Sequence, residues 1–133
     1  MALLIDTDLL IDVERGAGTS DAERLLGEEE RAISVITMSE LLHGVHRAQG
    51  STRARRRAFV EHLLAGLQAI PITEPVARVH ADIWAYLSQR GDPIGAHDLW
   101  IAATALAHGL GVATRNASDF DRVPGLRVVA TRG

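Results

Sequence analysis

The chain has 133 residues, 47% hydrophobic and 23% charged, which matches one globular domain that buries roughly two-thirds of its unfolded surface. Its formal charge of −3 does not advertise a nucleic-acid binder, although all 14 basic residues are arginines. With no cysteine, disulfides, cysteine-ligated zinc and thiol nucleophiles are excluded, and any metal must take oxygen or histidine ligands.

No apolar run approaches the roughly 20 residues that span a bilayer, and the N-terminus lacks the pattern of a secretory signal. A soluble, cytoplasmic, single-domain protein spanning residues 1–133 is expected, with no membrane partner.

Met1-Ala2-Leu3-Leu4-Ile5 is an unbroken apolar run that suits a strand buried on both faces. It stops at Asp6-Thr7-Asp8, after which Leu9 to Arg15 reads as a helix broken by Gly16-Ala17-Gly18. Ser20 and Asp21 can cap a second helix that runs to about Glu30. Ala32 to Ile36 is the second buried strand, and Thr37-Met38-Ser39-Glu40 opens the next helix. Arg53 to Leu67 gives a longer helix, followed by a short strand, Ala69 to Ile72, whose Pro71 places it at a sheet edge. Thr73-Glu74-Pro75 starts a helix that ends near Gly91. After the turn Asp92-Pro93-Ile94-Gly95, His97 and Asp98 lead into an apolar helix from Leu99 to Ala107. Gly111 to Thr114 is a fourth strand, Arg115 to Phe120 a loop or helical turn, and Leu126 to Val129 a last strand. This alternation predicts a three-layer α/β/α sandwich around a mainly parallel sheet of about five strands.

Three strand ends or following turns carry an acid, Asp6, Glu40 and Asp119, and Asp98 lies in the first turn of a helix. In a parallel sheet the strand ends share one rim, where ligands bind, so carboxylates far apart in sequence can converge. Each acid also has a plainer use. Asp6 can cap the helix that follows, Thr37-x-x-Glu40 is a ready capping box, Asp98 suits a helix N-terminus, and Asp119 can be a turn residue. Together in one pocket they would repel, which a divalent cation relieves. Mg²⁺, or Mn²⁺ in its place, takes carboxylate and water oxygens, leaves positions for phosphate and can activate a bound water. Phosphodiester hydrolysis, leaving a 5′-phosphate and a 3′-hydroxyl, is the matching chemistry.

Four segments carry a resemblance: Leu4-Ile5-Asp6-Thr7-Asp8, Ser39-Glu40-Leu41-Leu42-His43-Gly44, Pro93 through Ala103 with its Ala96-His97-Asp98-Leu99, and Thr114-Arg115-Asn116-Ala117-Ser118-Asp119-Phe120. In order and spacing they resemble the PIN-domain ribonucleases, above all the VapC toxins of bacterial toxin-antitoxin pairs. The resemblance implies a PIN-like fold in which Asp6, Glu40, Asp98 and Asp119 hold one or two Mg²⁺ ions, with Asn116, Thr7 and Asp8 as supporting polar groups. It implies an endoribonuclease that inhibits translation or growth until a VapB-like antitoxin binds it, and a homodimer. Asp8 either adds a carboxylate near the metal or caps the first helix. His97 is expected to be exposed or packed rather than part of the site, and Asp121 to be a surface acid. Arg115 and the cluster Arg53, Arg55, Arg56 and Arg57 are candidates for contacts to RNA phosphates, against the alternative of a solvated helix face.

Two other enzymes pair acids at the end of a first strand, the haloacid-dehalogenase-like phosphotransferases and the response-regulator phosphoacceptors. Both normally place a lysine near the phosphoryl group, and this chain has none. A non-catalytic module, with acids as caps and arginines gripping RNA or a protein, is the alternative outside enzymes.

Overall fold

The computed structural model describes residues 2–14 and 30–131. Leu3–Ile5 is β1 and Thr7–Glu14 is α1; Arg31–Ser34 is β2, followed by α2 at Val35–Arg47 and α3 at Gly50–Gly66. Gln68–Ile70 forms β3, Glu74–Gln89 α4 and Ala96–Ala107 α5. Gly111–Thr114 is β4, Ala117–Phe120 the short α6, and Val128–Ala130 β5. The five strands make one sheet in the order β3-β2-β1-β4-β5, and each neighbouring pair is parallel.

Alternation along β1 shows why this becomes three layers. Leu3 and Ile5 pack with Leu9, Leu10, Leu41, Val45 and Val60, on the side of α1, α2 and α3. Leu4 packs with Val76, Ile83, Leu99 and Ile101, on the side of α4 and α5. A strand buried on both faces has no solvent side to mark with polar residues, so it reads as a continuous apolar run. All five carboxyl ends then lie on one rim.

The second strand is shorter than its sequence suggests. Ile33-Ser34-Val35-Ile36 looks like one β-branched run, but Ser34 ends it: its Oγ accepts a hydrogen bond from Ile36 N at 2.8 Å and caps α2. Thr37 is therefore inside the helix and fully buried, not at its start, and the capping box expected at Thr37-x-x-Glu40 does not form. The strand before Pro71 is indeed at the sheet edge, with Pro71 just beyond it. The long third helix begins at Gly50, three residues earlier than its arginine pattern indicates, with φ of +58° at that glycine. The helix expected from Ser20 and Asp21 lies outside the described residues.

Candidate active site

Asp6 sits at the carboxyl end of the central strand and is only 4% exposed. Its Oδ1 accepts from Thr7 N at 2.8 Å and its Oδ2 from Thr114 Oγ1, at the end of the neighbouring β4, at 2.7 Å. Two donors fix the carboxylate, yet burial pushes its pKa up to about 7, helped by the charges of Asp8 and Asp98 and opposed by the two hydrogen bonds.

The start of α2 brings Glu40 to the same rim. Because Ser34 supplies the cap, Glu40 is released from that duty, and its Oε1 instead accepts from Thr7 Oγ1 at 2.7 Å. Thr7 Oγ1 is also 3.0 Å from Thr37 Oγ1, so a buried hydroxyl pair links α1 to α2 behind the glutamate. The other oxygen, Oε2, is 3.2 Å from His97 Nδ1 at the start of α5.

His97 is exposed, as expected, with 64% of its side chain accessible, but it also contacts Glu40, which the sequence did not suggest. Adjacent positions on a helix do point apart, but Glu40 comes from another element and meets His97 on its own side.

Asp98 is half-buried in the first turn of α5. Burial raises its pKa, and the charges of Asp119, Glu40 and Asp8 raise it further, against a smaller opposing effect of His97. Asp119, in α6, accepts from Asn116 Nδ2 at 2.9 Å, and Arg122 Nη1 stands 3.7 Å from its other oxygen. Asn116 N in turn donates to Thr114 Oγ1 at 2.8 Å, so Thr114 and Asn116 form a continuous path from Asp6 to Asp119. The four expected acids therefore meet around Asp98, which feels the charges of Asp119, Glu40 and Asp8, while Asp6 feels those of Asp8 and Asp98. Burial raises the Asp8 pKa as well, against the backbone N–H and charge of Arg115. Asp121 is exposed. Among the described residues, no three acidic or histidine side chains stand as a preformed cage for one ion.

The arginine candidates separate. Arg115 Nη1 pairs with Asp12 Oδ1 at 2.8 Å, and its N–H points to Asp8 Oδ1 at 3.4 Å. Arg53 turns back onto the carbonyls of Ala48 and His46 at 2.7 and 3.1 Å, closing the end of α2. Arg55 reaches Thr52 on its own helix and Arg57 is exposed. Of these five, Arg56 lines the concave surface next to Glu40, as Arg47 also does, and is held by Glu14 Oε1 at 2.8 Å and Gly44 O at 3.3 Å. That surface is a cleft of about 470 Å³ between α1 and α2. Thr114 and His97 are the contacts the sequence did not reveal, since their partners lie 108 and 57 residues away. The position of Thr114 at a strand end, the same signal that marks Asp6, could have found it.

Comparison with known proteins gives a consistent set of relatives. The profile of the PIN domain matches residues 3–126. Ribonuclease VapC1 of Rickettsia felis is 35% identical over 130 residues, covering 97% of this chain and 96% of the relative. The tRNA(fMet)-specific endonuclease VapC of Salmonella typhimurium is 30% identical over 129 residues, with 96% of each chain covered. In the crystal structure of DNA-bound VapBC from Salmonella typhimurium, a chain 30% identical superposes with a TM-score of 0.88 over 98% of both chains.

Proposed function

The chain belongs to the PIN-domain family, and we propose that it is a metal-dependent endoribonuclease acting as the toxin of a toxin-antitoxin pair. The observation that carries this reading is the gathering of carboxylates at one rim of the sheet around buried Asp6, which burial, with the charges of Asp8 and Asp98, pushes up to about 7. Such a group of acids is stable as anions only beside a cation. No lysine exists to supply one; Arg122 is shared between Asp92 and Asp119 and Arg115 between Asp12 and Asp8, and no arginine among the described residues offsets Asp6 or Asp98.

The donors are all oxygens, which suits Mg²⁺ or Mn²⁺. Asp6 and Asp98 are the residues to hold it directly, with Glu40 and Asp119 acting from either side. When bound, the ion supplies charge neutralisation, a Lewis acid for the phosphate oxygens and activation of a water. The protein's part is orientation. Thr7 and His97 fix the two oxygens of Glu40, Thr114 and Thr7 N fix those of Asp6, and Asn116 fixes Asp119. A phosphodiester approaching the rim meets carboxylates already aimed, so little reorganisation remains for the reaction itself.

The similar Salmonella typhimurium chain was solved as part of a DNA-bound VapBC, which supports a small VapB-like antitoxin as the partner that silences the site, with inhibition of translation or growth in its absence. We propose a homodimer too, supported by the 60% exposed Trp84 on α4. No described helix is long and apolar enough to cross a membrane.

Cleavage of cellular RNA by the purified chain, with Mg²⁺ and with EDTA, tests the activity. Asp6→Asn and Asp98→Asn should each lower the rate by at least about a thousandfold. Undiminished cleavage by both variants, or by wild type in EDTA, would refute the assignment.

A further inference from the structure

Gly44 stands inside α2 without a structural reason to be glycine. Its φ is not positive, and a Cβ built on it would meet no atom within 4 Å, so neither backbone conformation nor close packing demands it. A glycine in a helix interior is less favourable than alanine. What the missing side chain leaves is space, and Gly44 lies in the wall of the 470 Å³ cleft.

Glu40, His43, Gly44 and Arg47 line that cleft along one face of α2, at the spacing of successive helical turns. Ile11 faces them from α1, and Arg56 closes the end from α3. The cleft opens at Glu40 and His97 onto the acid cluster; Arg47 lies seven residues on, about 10 Å along the helix axis. Glu40, next to the acids where a metal and the scissile phosphate would sit, is at one end of this face and exposed Arg47 at the other, with apolar Ile11 and the open place at Gly44 between them; Arg56 is offset by Glu14, which also lines the cleft.

We propose that this cleft seats the RNA strand next to the scissile phosphate, with one nucleotide lying over Gly44 and a neighbouring phosphate on Arg47. The inference rests on the nuclease reading and specifies the path of the substrate through that site. A single strand suits it because phosphates recur along the chain at a spacing that a fixed cation can meet, while each base offers a flat face to an apolar wall. The arginines of α3 thereby lose most of their claim to the substrate, and Arg47, at the end of α2, takes it.

Gly44→Ala, Gly44→Leu and Arg47→Gln test the path in the full chain with Mg²⁺. Two substrates are compared, total cellular RNA and bis(p-nitrophenyl) phosphate, which is too small to reach along the cleft. Gly44→Leu should lower the rate on RNA by about tenfold more than the rate on the small diester, with Gly44→Ala between it and wild type. Gly44→Ala should not lower Tm, because its one added atom enters open space. Arg47→Gln should reduce the salt dependence of RNA binding by about one unit of slope. Equal losses on both substrates, or no loss on RNA, would overturn the path while leaving the nuclease standing. Unchanged RNA cleavage with loss only of inhibition by the protein partner would assign the cleft to that partner instead. A wild-type chain inert on both substrates would remove the nuclease reading and this path together.

Discussion

Asp6 binds its proton more tightly in the folded chain than in the unfolded one, at about 7 against an ordinary value of 3.8. A raised carboxylate pKa has a definite sign. Below about pH 4 the group is protonated in both states and costs nothing; between about 4 and 7 the unfolded chain ionises first, and stability falls as pH rises. With metal removed, the loss across that window is on the order of a few kcal/mol. Thermal unfolding in EDTA should show Tm falling from pH 5 to pH 8 for wild type and a flatter, higher curve for Asp6→Asn. Parallel curves would mean that burial and the neighbouring acids do not raise the Asp6 pKa. Thr7 gives the complementary prediction. Thr7→Val keeps the backbone donor to Asp6 but removes the hydroxyl on Glu40, and Mn²⁺ affinity measured by calorimetry should drop about tenfold or more. At this scale the acids were legible because each follows an apolar run or opens a helix. His97 was not, since nothing local tells a histidine that a glutamate 57 residues away will turn toward it.

The helices show what periodicity can and cannot place. β1 and β4 are readable because strands buried on both faces must be apolar throughout. The junction of β2 and α2 is not. Val35 and Ile36 favour strands by their branching, and only the Ser34 hydroxyl, bonded to Ile36 N, decides for a helix. That one hydrogen bond sets where Glu40 lies, because a helix starting two residues later would turn it by about 200° around the axis. Ser34→Ala should cost about 1 kcal/mol in urea unfolding, whereas a Thr37→Ser change, which keeps the hydroxyl, should cost less than an end-cap loss if Thr37 is not the cap. The arginine-rich helix was readable as charged but not as divided. Arg53 closes a helix end and Arg56 meets Glu14 42 residues away, contacts that composition does not contain.

For the molecule as a whole, the two faces of the sheet have different surfaces. The face under α1, α2 and α3 borders the cleft and the acids. On the other face, α4 presents Trp84, with its ring at 5.7 Å and 65° to that of His80, which stacks on Trp100 at 3.5 Å. Aromatic rings held in place but left exposed are the residues most able to carry an interface. If the proposed homodimer forms here, wild type should sediment as a dimer and Trp84→Glu as a monomer; an unaltered coefficient would place the surface elsewhere, and a monomeric wild type would refute the dimer. The layered architecture was legible from the alternation of strands and helices, but the strand order was not, because all the buried strands look alike in sequence.

That strand order has a consequence in time. The central strand takes one neighbour from the far end of the chain: Leu4 pairs with Val112, and the hydrogen bond that steadies Asp6 spans 108 residues. During synthesis Asp6 emerges early and must wait for β4, with Thr114, and then for Asp119 before its surroundings exist. Closing so long a loop in a parallel sheet places folding among the slower topologies. A chain still being synthesised thus carries Asp6 without the partners that orient it, and the carboxylate rim assembles only once Thr114 and Asp119 have both emerged.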